Sequence, residues 1–100
     1  MAEPFSHIGI DVMGPLPVSL TRKRYIILAV DFFTKYTEVI ATEEADAQTV
    51  VKFLYSDIIC RHEVPKKITS DRGTEFLNDL VREFEKTYHI KHIKTIVYYP

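Results

Sequence analysis

The sequence contains a single cysteine, Cys60, among its 100 residues. One cysteine cannot form a disulfide within the chain, so the sequence favours a reducing compartment, nuclear or cytoplasmic. Cys60 itself is expected to be a buried helix residue. Long hydrophobic runs are also lacking, since the longest, residues 25–30, is far below the roughly 20 residues that cross a bilayer. No basic segment precedes an apolar one near the N-terminus, so neither secretion nor membrane insertion is expected.

The chain also has no excess of positively charged residues. The formal net charge is −1, which argues against a strong, sequence-independent attraction to nucleic acid. With 46% hydrophobic and 27% charged residues, the composition predicts one folded domain over residues 1–100 rather than a disordered chain. The segment from Lys86 to Lys94 contains lysines and histidines but no acidic residue, and we interpret it as a solvated face.

Hydrophobic periodicity predicts the element order β-β-β-α-β-α-β. Asp46 and Asn78 are the candidate N-caps of the two helices. The first helix is expected to end before Pro65, and the second at Tyr88–His89. The strands are predicted over five segments, 7–13, 25–33, 37–41, 67–70 and 90–97.

The first three predicted strands form an antiparallel meander, and each later strand follows a helix. Right-handed connections then place the fourth strand beside the first and parallel to it. The predicted fold is therefore α/β, with a mixed five-stranded sheet of order 3-2-1-4-5 in which strand 2 is antiparallel to the rest. This order brings Asp11, inside the first strand, close to Asp71, at the end of the fourth.

Asp11 lies between Ile10 and Val12, where a half-buried carboxylate would be costly unless it were paired or metal-bound. Two neighbouring carboxylates repel each other, and a divalent cation removes that conflict. Mg²⁺ often takes only one or two carboxylates, with waters and phosphate as its other ligands. Asp11 and Asp71 therefore form a metal-site hypothesis, and a salt bridge from Asp11 to Lys or Arg is the alternative.

Three blocks of the chain, HIGIDVMGPLP (7–17), RYIILAVDFFTKYTEVI (24–40) and VPKKITSDRGTEF (64–76), occur in this order. They resemble consecutive blocks of the catalytic core of retroviral and retrotransposon integrases of the gypsy type, within the RNase H-like superfamily. The similarity runs over nearly the whole chain. The resemblance implies an RNase H-like fold, DNA integration as the activity, and element ends and target DNA as partners, with a homo-oligomer also expected.

Integrases of this family use an Asp, Asp, Glu triad to hold two Mg²⁺ or Mn²⁺ ions. By resemblance, Asp11 is the first carboxylate, which contacts both ions, and Asp71 is the second. Metal ions in such a site activate a water or a 3′-hydroxyl and stabilise the departing oxygen of a phosphodiester.

Other residues near these motifs receive lesser roles. Lys66, Lys67 and Arg72 are candidates for contacts with DNA phosphates near the metals. Asp31 is interpreted as a structural or turn-forming residue. Glu75 falls in the mobile loop of the family motif, so it is not assigned as the third ligand.

The resemblance stops before the family's third carboxylate, which lies on a helix after the last strand, beyond a Tyr-His-Pro motif. In this sequence Tyr99 stands in place of the His, and the chain ends at Pro100. We therefore expect a C-terminally truncated core, without the Glu-bearing helix, that binds Mg²⁺ weakly and performs no efficient strand transfer. The alternative is a non-catalytic DNA- or protein-binding module derived from a transposable element. An RNase H-type nuclease shares the fold and metals, but the three blocks fit an integrase better.

Overall fold

The computed structural model describes residues 3–17 and 22–95. One helix follows the first three strands, and a second helix lies between the fourth and fifth strands. Helix α1 spans Ala47–Phe53 and continues directly into a π-helical segment, Leu54–Ile59, and helix α2 spans Asp79–Tyr88. The strands are β1 His7–Met13, β2 Tyr25–Asp31, β3 Thr37–Thr42, β4 Lys67–Ser70 and β5 Lys91–Lys94.

The five strands form one mixed sheet of order β3-β2-β1-β4-β5. Strand β2 pairs antiparallel with β1 and β3, while β1 pairs parallel with β4 and β4 parallel with β5. The predicted order and the single antiparallel strand are confirmed, and this is the RNase H-like arrangement that the resemblance implies. Short turns can join only antiparallel neighbours, whereas the helical crossovers deliver the parallel ones.

One face of the sheet carries the hydrophobic core, and both helices lie on it. Ile8 and Ile10 of β1 pack in a single cluster with Phe53 and Ile58 from the first helix. Helix α2 contacts α1. Each fully buried aliphatic or aromatic side chain in such a cluster contributes about 1.5 to 3 kcal/mol to folding.

The opposite face of the sheet is open over the described residues, and we call it the open face. It carries Gly9 and Asp11 of β1, which pair with Val30 and Leu28 of β2. These four residues are half-buried or exposed, and none belongs to the core cluster. Neither α1 nor α2 covers this face, because both crossovers run on the other side.

Both helices begin at the predicted N-caps. The Asp46 carboxylate accepts a hydrogen bond from the Thr49 backbone N–H at 2.9 Å, and the Asn78 side chain accepts one from Leu80 at 2.8 Å. Each cap satisfies a backbone donor that the first helical turn leaves unpaired. Helix α2 ends at Tyr88, as predicted, and no helix of the described ranges is long and apolar enough to cross a membrane.

Three local predictions differ from the structure. Strand β2 ends at Asp31 rather than at Phe33, because the chain turns immediately after Asp31. Strand β5 is shorter than predicted, and the last two residues of the predicted strand lie outside the described residues. Cys60 is exposed, so its predicted burial is wrong. It follows the π-helical segment two positions after the buried Ile58, which places it on a different side of the helix.

Candidate functional site

Asp11 lies within β1 and projects from the open face. Its carboxylate Oδ1 accepts a hydrogen bond from the backbone N–H of Val12 at 2.9 Å. The expected half-burial is wrong, because Asp11 is exposed where no described helix covers the sheet. Within residues 3–17 and 22–95, no Lys or Arg forms a salt bridge with Asp11, so the salt-bridge alternative finds no support there.

Asp71 follows directly after the last residue of β4 and is half-buried. Its carboxylate Oδ1 accepts a hydrogen bond from the Gly73 backbone N–H at 2.9 Å. An Asp side chain that bonds the backbone two residues ahead forms a compact turn. The strand therefore ends in a turn that holds this carboxylate by one of its two oxygens.

The register of the sheet brings Asp11 and Asp71 together. Each pair of the β1–β4 ladder joins positions 60 apart, up to Gly9 with Thr69. Asp11 and Asp71 keep the same offset two residues farther on, and residues two apart along a strand share a face. Both aspartates line one groove of about 330 Å³, which we call the aspartate groove. Its other lining residues include Leu28, Val30, Phe32 and Thr95.

The aspartate groove fits a hard divalent cation as an open site. In the described ranges, the second oxygen of each carboxylate makes no hydrogen bond, so Asp11 and Asp71 each present one oxygen ligand. Mg²⁺ and Mn²⁺ prefer oxygen ligands and accept water at the remaining positions. No group of three or more His, Cys, Asp or Glu side chains in those ranges could hold a metal. Water or phosphate would therefore have to supply most of the ligands.

The basic candidates lie at both ends of β4. Lys66 precedes the strand and Lys67 is its first residue, and both are exposed, whereas Asp71 follows its last residue. Four residues of extended strand place Lys67 about 13 Å from Asp71. Arg72 is exposed and adjacent to Asp71. Of the three, Arg72 alone lies at the same end of the strand as the aspartate groove.

Glu75 lies near Asp71 in sequence but faces a different groove. That groove, of about 700 Å³, is lined by Glu75 with Gly14, Arg24 and Tyr25, and it does not include either aspartate. The position of Glu75 thus gives no reason to assign it as a third ligand.

Asp31 is fully buried at the end of β2 and caps the turn that follows. Its carboxylate accepts hydrogen bonds from the Thr34 hydroxyl at 2.6 Å and from the backbone N–H groups of Phe33 and Thr34, both at 3.2 Å. Burial alone raises the pKa of Asp31, but these bonds and one from the Phe5 backbone outweigh it and hold the pKa below its ordinary value. The structure gives Asp31 the structural, turn-forming role that the sequence predicts.

Sequence reasoning missed a buried polar cluster formed by Ser70, His92 and Glu85. We expected His92 on a solvated face, but its side chain is only 5% exposed, so that interpretation is wrong. His92 pairs in register with Ile68, which lies on the core side of the sheet. One signal was present in the sequence, since Glu85 follows the apolar Val81 by one helical turn and therefore shares its face.

Comparison with known proteins gives, for the chain as a whole, the integrase family that the three sequence blocks resemble. The family model described as integrase core domain matches residues 2–100. An uncharacterized protein of Caenorhabditis elegans is 35% identical over 97 residues, which are 97% of this chain and 7% of that protein.

Two further relatives carry names that state their origin. The Gag-Pol polyprotein of Walleye dermal sarcoma virus is 34% identical over 82% of this chain and 4% of its own length. The Gypsy retrotransposon integrase-like protein 1 of Homo sapiens is 30% identical over 90% of this chain and 17% of its own length. The chain thus spans less than a fifth of each of these three relatives. From the matching family model and the sheet order, we conclude that this chain belongs to the integrase core domain family.

Proposed function

We propose that this chain is an integrase core in which Asp11 and Asp71 hold Mg²⁺ or Mn²⁺ for phosphodiester chemistry on DNA. The observation that carries the proposal is the shared groove: two carboxylates 60 positions apart in sequence line one cavity, each with an oxygen that is not hydrogen-bonded within the described ranges. Two neighbouring carboxylates without cationic partners in the described ranges, one inside β1 and one just after the parallel strand β4, form an arrangement that a divalent cation stabilises.

The side chains around the groove have distinct roles in this proposal. Asp11 presents its carboxylate from a strand position that pairs with Leu28 of β2, two residues beyond the last pair of the β1–β4 ladder. Asp71 presents its carboxylate from a turn that the Gly73 N–H closes. Arg72 supplies positive charge for a DNA phosphate at the same end of β4. A divalent ion held by Asp11 and Asp71 would supply activation of the attacking hydroxyl and stabilisation of the leaving oxygen.

The number of carboxylates limits the expected activity. The family triad has three acidic ligands, and the described ranges bring only two of them into the aspartate groove. Fewer charged ligands weaken the binding of a hard cation. We therefore expect the 100-residue chain to bind Mg²⁺ weakly and to join DNA strands inefficiently.

A titration with Mn²⁺ followed by NMR tests the metal site. Because Mn²⁺ is paramagnetic, we expect it to broaden the amide signals of Val12 and Gly73 before those of helix α2. Asp11→Asn and Asp71→Asn should each lower the Mn²⁺ affinity by about tenfold or more, since each removes a charged ligand.

The matched control is Asp79→Asn, which removes an equally charged side chain that is 89% exposed on α2. In this variant Mn²⁺ should broaden the amide signals of Val12 and Gly73 as it does in the wild type. Unchanged Mn²⁺ affinity in Asp11→Asn would refute the metal site. Efficient Mg²⁺-dependent strand joining by the wild-type chain, lost in Asp11→Asn, would instead refute the expectation of low activity.

The open face supports a second candidate function, that of a non-catalytic DNA- or protein-binding module. Val39 is 55% exposed and Phe32 is 40% exposed on or beside this face. Exposed apolar patches commonly mediate association. If this function is the correct one, the anisotropy of a labelled DNA duplex should rise equally with wild type and with Asp11→Asn, with or without EDTA. Loss of a metal-dependent DNA interaction in both aspartate variants would exclude it.

A further inference from the structure

Three polar side chains lie in a row behind Asp71, on the helix-covered side of the sheet. The His92 Nε2 atom lies 2.5 Å from the Ser70 Oγ atom, and the His92 Nδ1 atom contacts the Glu85 carboxylate. The Ser70 hydroxyl in turn donates a hydrogen bond to the main-chain carbonyl of Asp71 at 2.8 Å. The row therefore runs from helix α2 through β5 and β4 to the backbone of a proposed metal ligand.

All three side chains are buried. Ser70 is 3% exposed, and the side chains of His92 and Glu85 are 5% and 8% exposed. Buried polar groups cost free energy unless they are hydrogen-bonded, and the Glu85 Oε2 and His92 Nδ1 atoms have only each other as neighbouring polar partners among the described residues. Ser70 contributes to the lining of the aspartate groove, whereas Glu85 and His92 do not line it.

The number of protons available to Ser70 and His92 determines which atom donates each hydrogen bond. A serine hydroxyl has one proton, and here it points to the Asp71 carbonyl. The contact between Ser70 Oγ and His92 Nε2 therefore needs a proton on Nε2. The two bonds nearest Asp71, from His92 Nε2 to Ser70 Oγ and from Ser70 Oγ to the Asp71 carbonyl, therefore both donate toward Asp71.

We propose that Glu85, His92 and Ser70 are positioning residues that fix the peptide group of Asp71 and so aim its carboxylate into the aspartate groove. The neighbouring Ser70 carbonyl is held as well, because it accepts hydrogen bonds from the Thr95 backbone N–H at 2.8 Å and from the Thr95 hydroxyl at 3.1 Å. With both carbonyls held, the peptide planes on either side of the Asp71 Cα cannot rotate freely. The purpose of this positioning depends on the proposed metal site, but the positioning itself does not.

Amide hydrogen exchange of Gly73 in the metal-free chain tests the positioning, because the Gly73 N–H donates to the Asp71 carboxylate. Ser70→Ala removes the last bond of the row, and we expect the Gly73 exchange rate to rise about tenfold relative to that of Ile27 in the core. Ser70→Thr keeps the hydroxyl and should stay within about threefold of the wild type. Glu85→Gln keeps the side-chain shape, but its amide can either accept a hydrogen bond from His92 Nδ1 or donate one to it, so it should hold His92 less firmly, and the Gly73 exchange rate should rise by less than in Ser70→Ala.

Thr69→Ala is the matched control. It removes a hydroxyl from the neighbouring residue of β4, whose partner is His7 on the other face of the sheet. Gly73 exchange within about twofold of the wild type in Ser70→Ala would overturn the proposal. An equal rise in Thr69→Ala would overturn it too, because the effect would then be a general loosening of β4.

Mn²⁺ affinity of the same variants separates this proposal from the proposed function. We expect Ser70→Ala to weaken Mn²⁺ binding by about threefold. If wild type binds no Mn²⁺ while Gly73 exchange responds as expected, the metal site fails and the positioning stands. If Mn²⁺ binding depends on Asp11 but Ser70→Ala changes neither measurement, the positioning fails and the metal site stands.

Discussion

Thr95→Glu is expected to tighten Mn²⁺ binding by about tenfold, equivalent to about 1.4 kcal/mol. Thr95 is exposed and lines the aspartate groove together with Asp11 and Asp71. A glutamate there would add a third hard oxygen ligand and another negative charge, and the number of charged ligands sets the affinity of such sites. The substitution loses the hydroxyl bond to the Ser70 carbonyl but keeps the backbone N–H bond, so β5 should remain paired with β4.

Free Mn²⁺ measured by electron paramagnetic resonance gives the affinity directly. Thr95→Gln has the same length as the glutamate without its charge and should bind as weakly as the wild type. Thr87→Glu adds the same charge on helix α2, away from the groove, and should change the affinity by less than about twofold because solvent screens distant charges. An equal gain in Thr87→Glu would show that overall charge, rather than a third ligand, controls binding.

Asp31→Ala is expected to lower the free energy of unfolding by about 3 kcal/mol. The substitution leaves the backbone donors of Phe33 and Thr34, together with the Thr34 hydroxyl, without their acceptor in a partly buried turn. Each such orphaned donor costs about 1 kcal/mol or more. Against a total stability of about 5 to 15 kcal/mol for a domain, this is a large loss.

Urea unfolding measures the effect of Asp31→Ala, with Asp79→Ala as the control. The Asp79 side chain is 89% exposed, and its ion pair with Arg82 lies on the surface, so its removal should cost about 0.5 kcal/mol. A cost for Asp31→Ala below about 1 kcal/mol would show that water or neighbouring groups satisfy the freed donors.

The pH dependence of the Asp31 contribution has a definite sign. Its pKa is lower in the folded chain than its ordinary value of 3.8, because its hydrogen bonds favour the charged form. Its contribution to stability is therefore complete above pH 3.8 and is lost as the pH falls through the lower, folded-state pKa. The stability difference between wild type and Asp31→Ala should accordingly shrink in that acidic range and stay constant at higher pH.

Local sequence patterns predicted features that depend on neighbouring residues. The N-caps Asp46 and Asn78 were predictable because a cap forms with donors two or three residues ahead. The sheet order was predictable because helical crossovers are right-handed and the first three strands follow one another closely. The end of β2 was not predictable from the local pattern. The apolar Phe32 and Phe33 continue the strand pattern in sequence, but the chain turns after Asp31.

Burial was the property that local patterns predicted least well. Asp11 and Cys60 were expected to be partly or fully buried, and both are exposed. His92 was expected on a solvated face and is buried. Whether such a residue is covered depends on which elements pack over it, and those elements lie elsewhere in the sequence.

The sequence by itself determined the order of elements, the sheet topology, the family and the identity of the two acidic residues. The predicted sheet order already placed Asp11 close to Asp71, but the tertiary structure alone decided that their groove lies on an uncovered face and that Ser70, His92 and Glu85 connect behind it. Ser70 and His92 are 22 positions apart, and their contact exists because β4 and β5 pair. Long-range strand pairing decides which polar side chains meet, and no local periodicity encodes that choice.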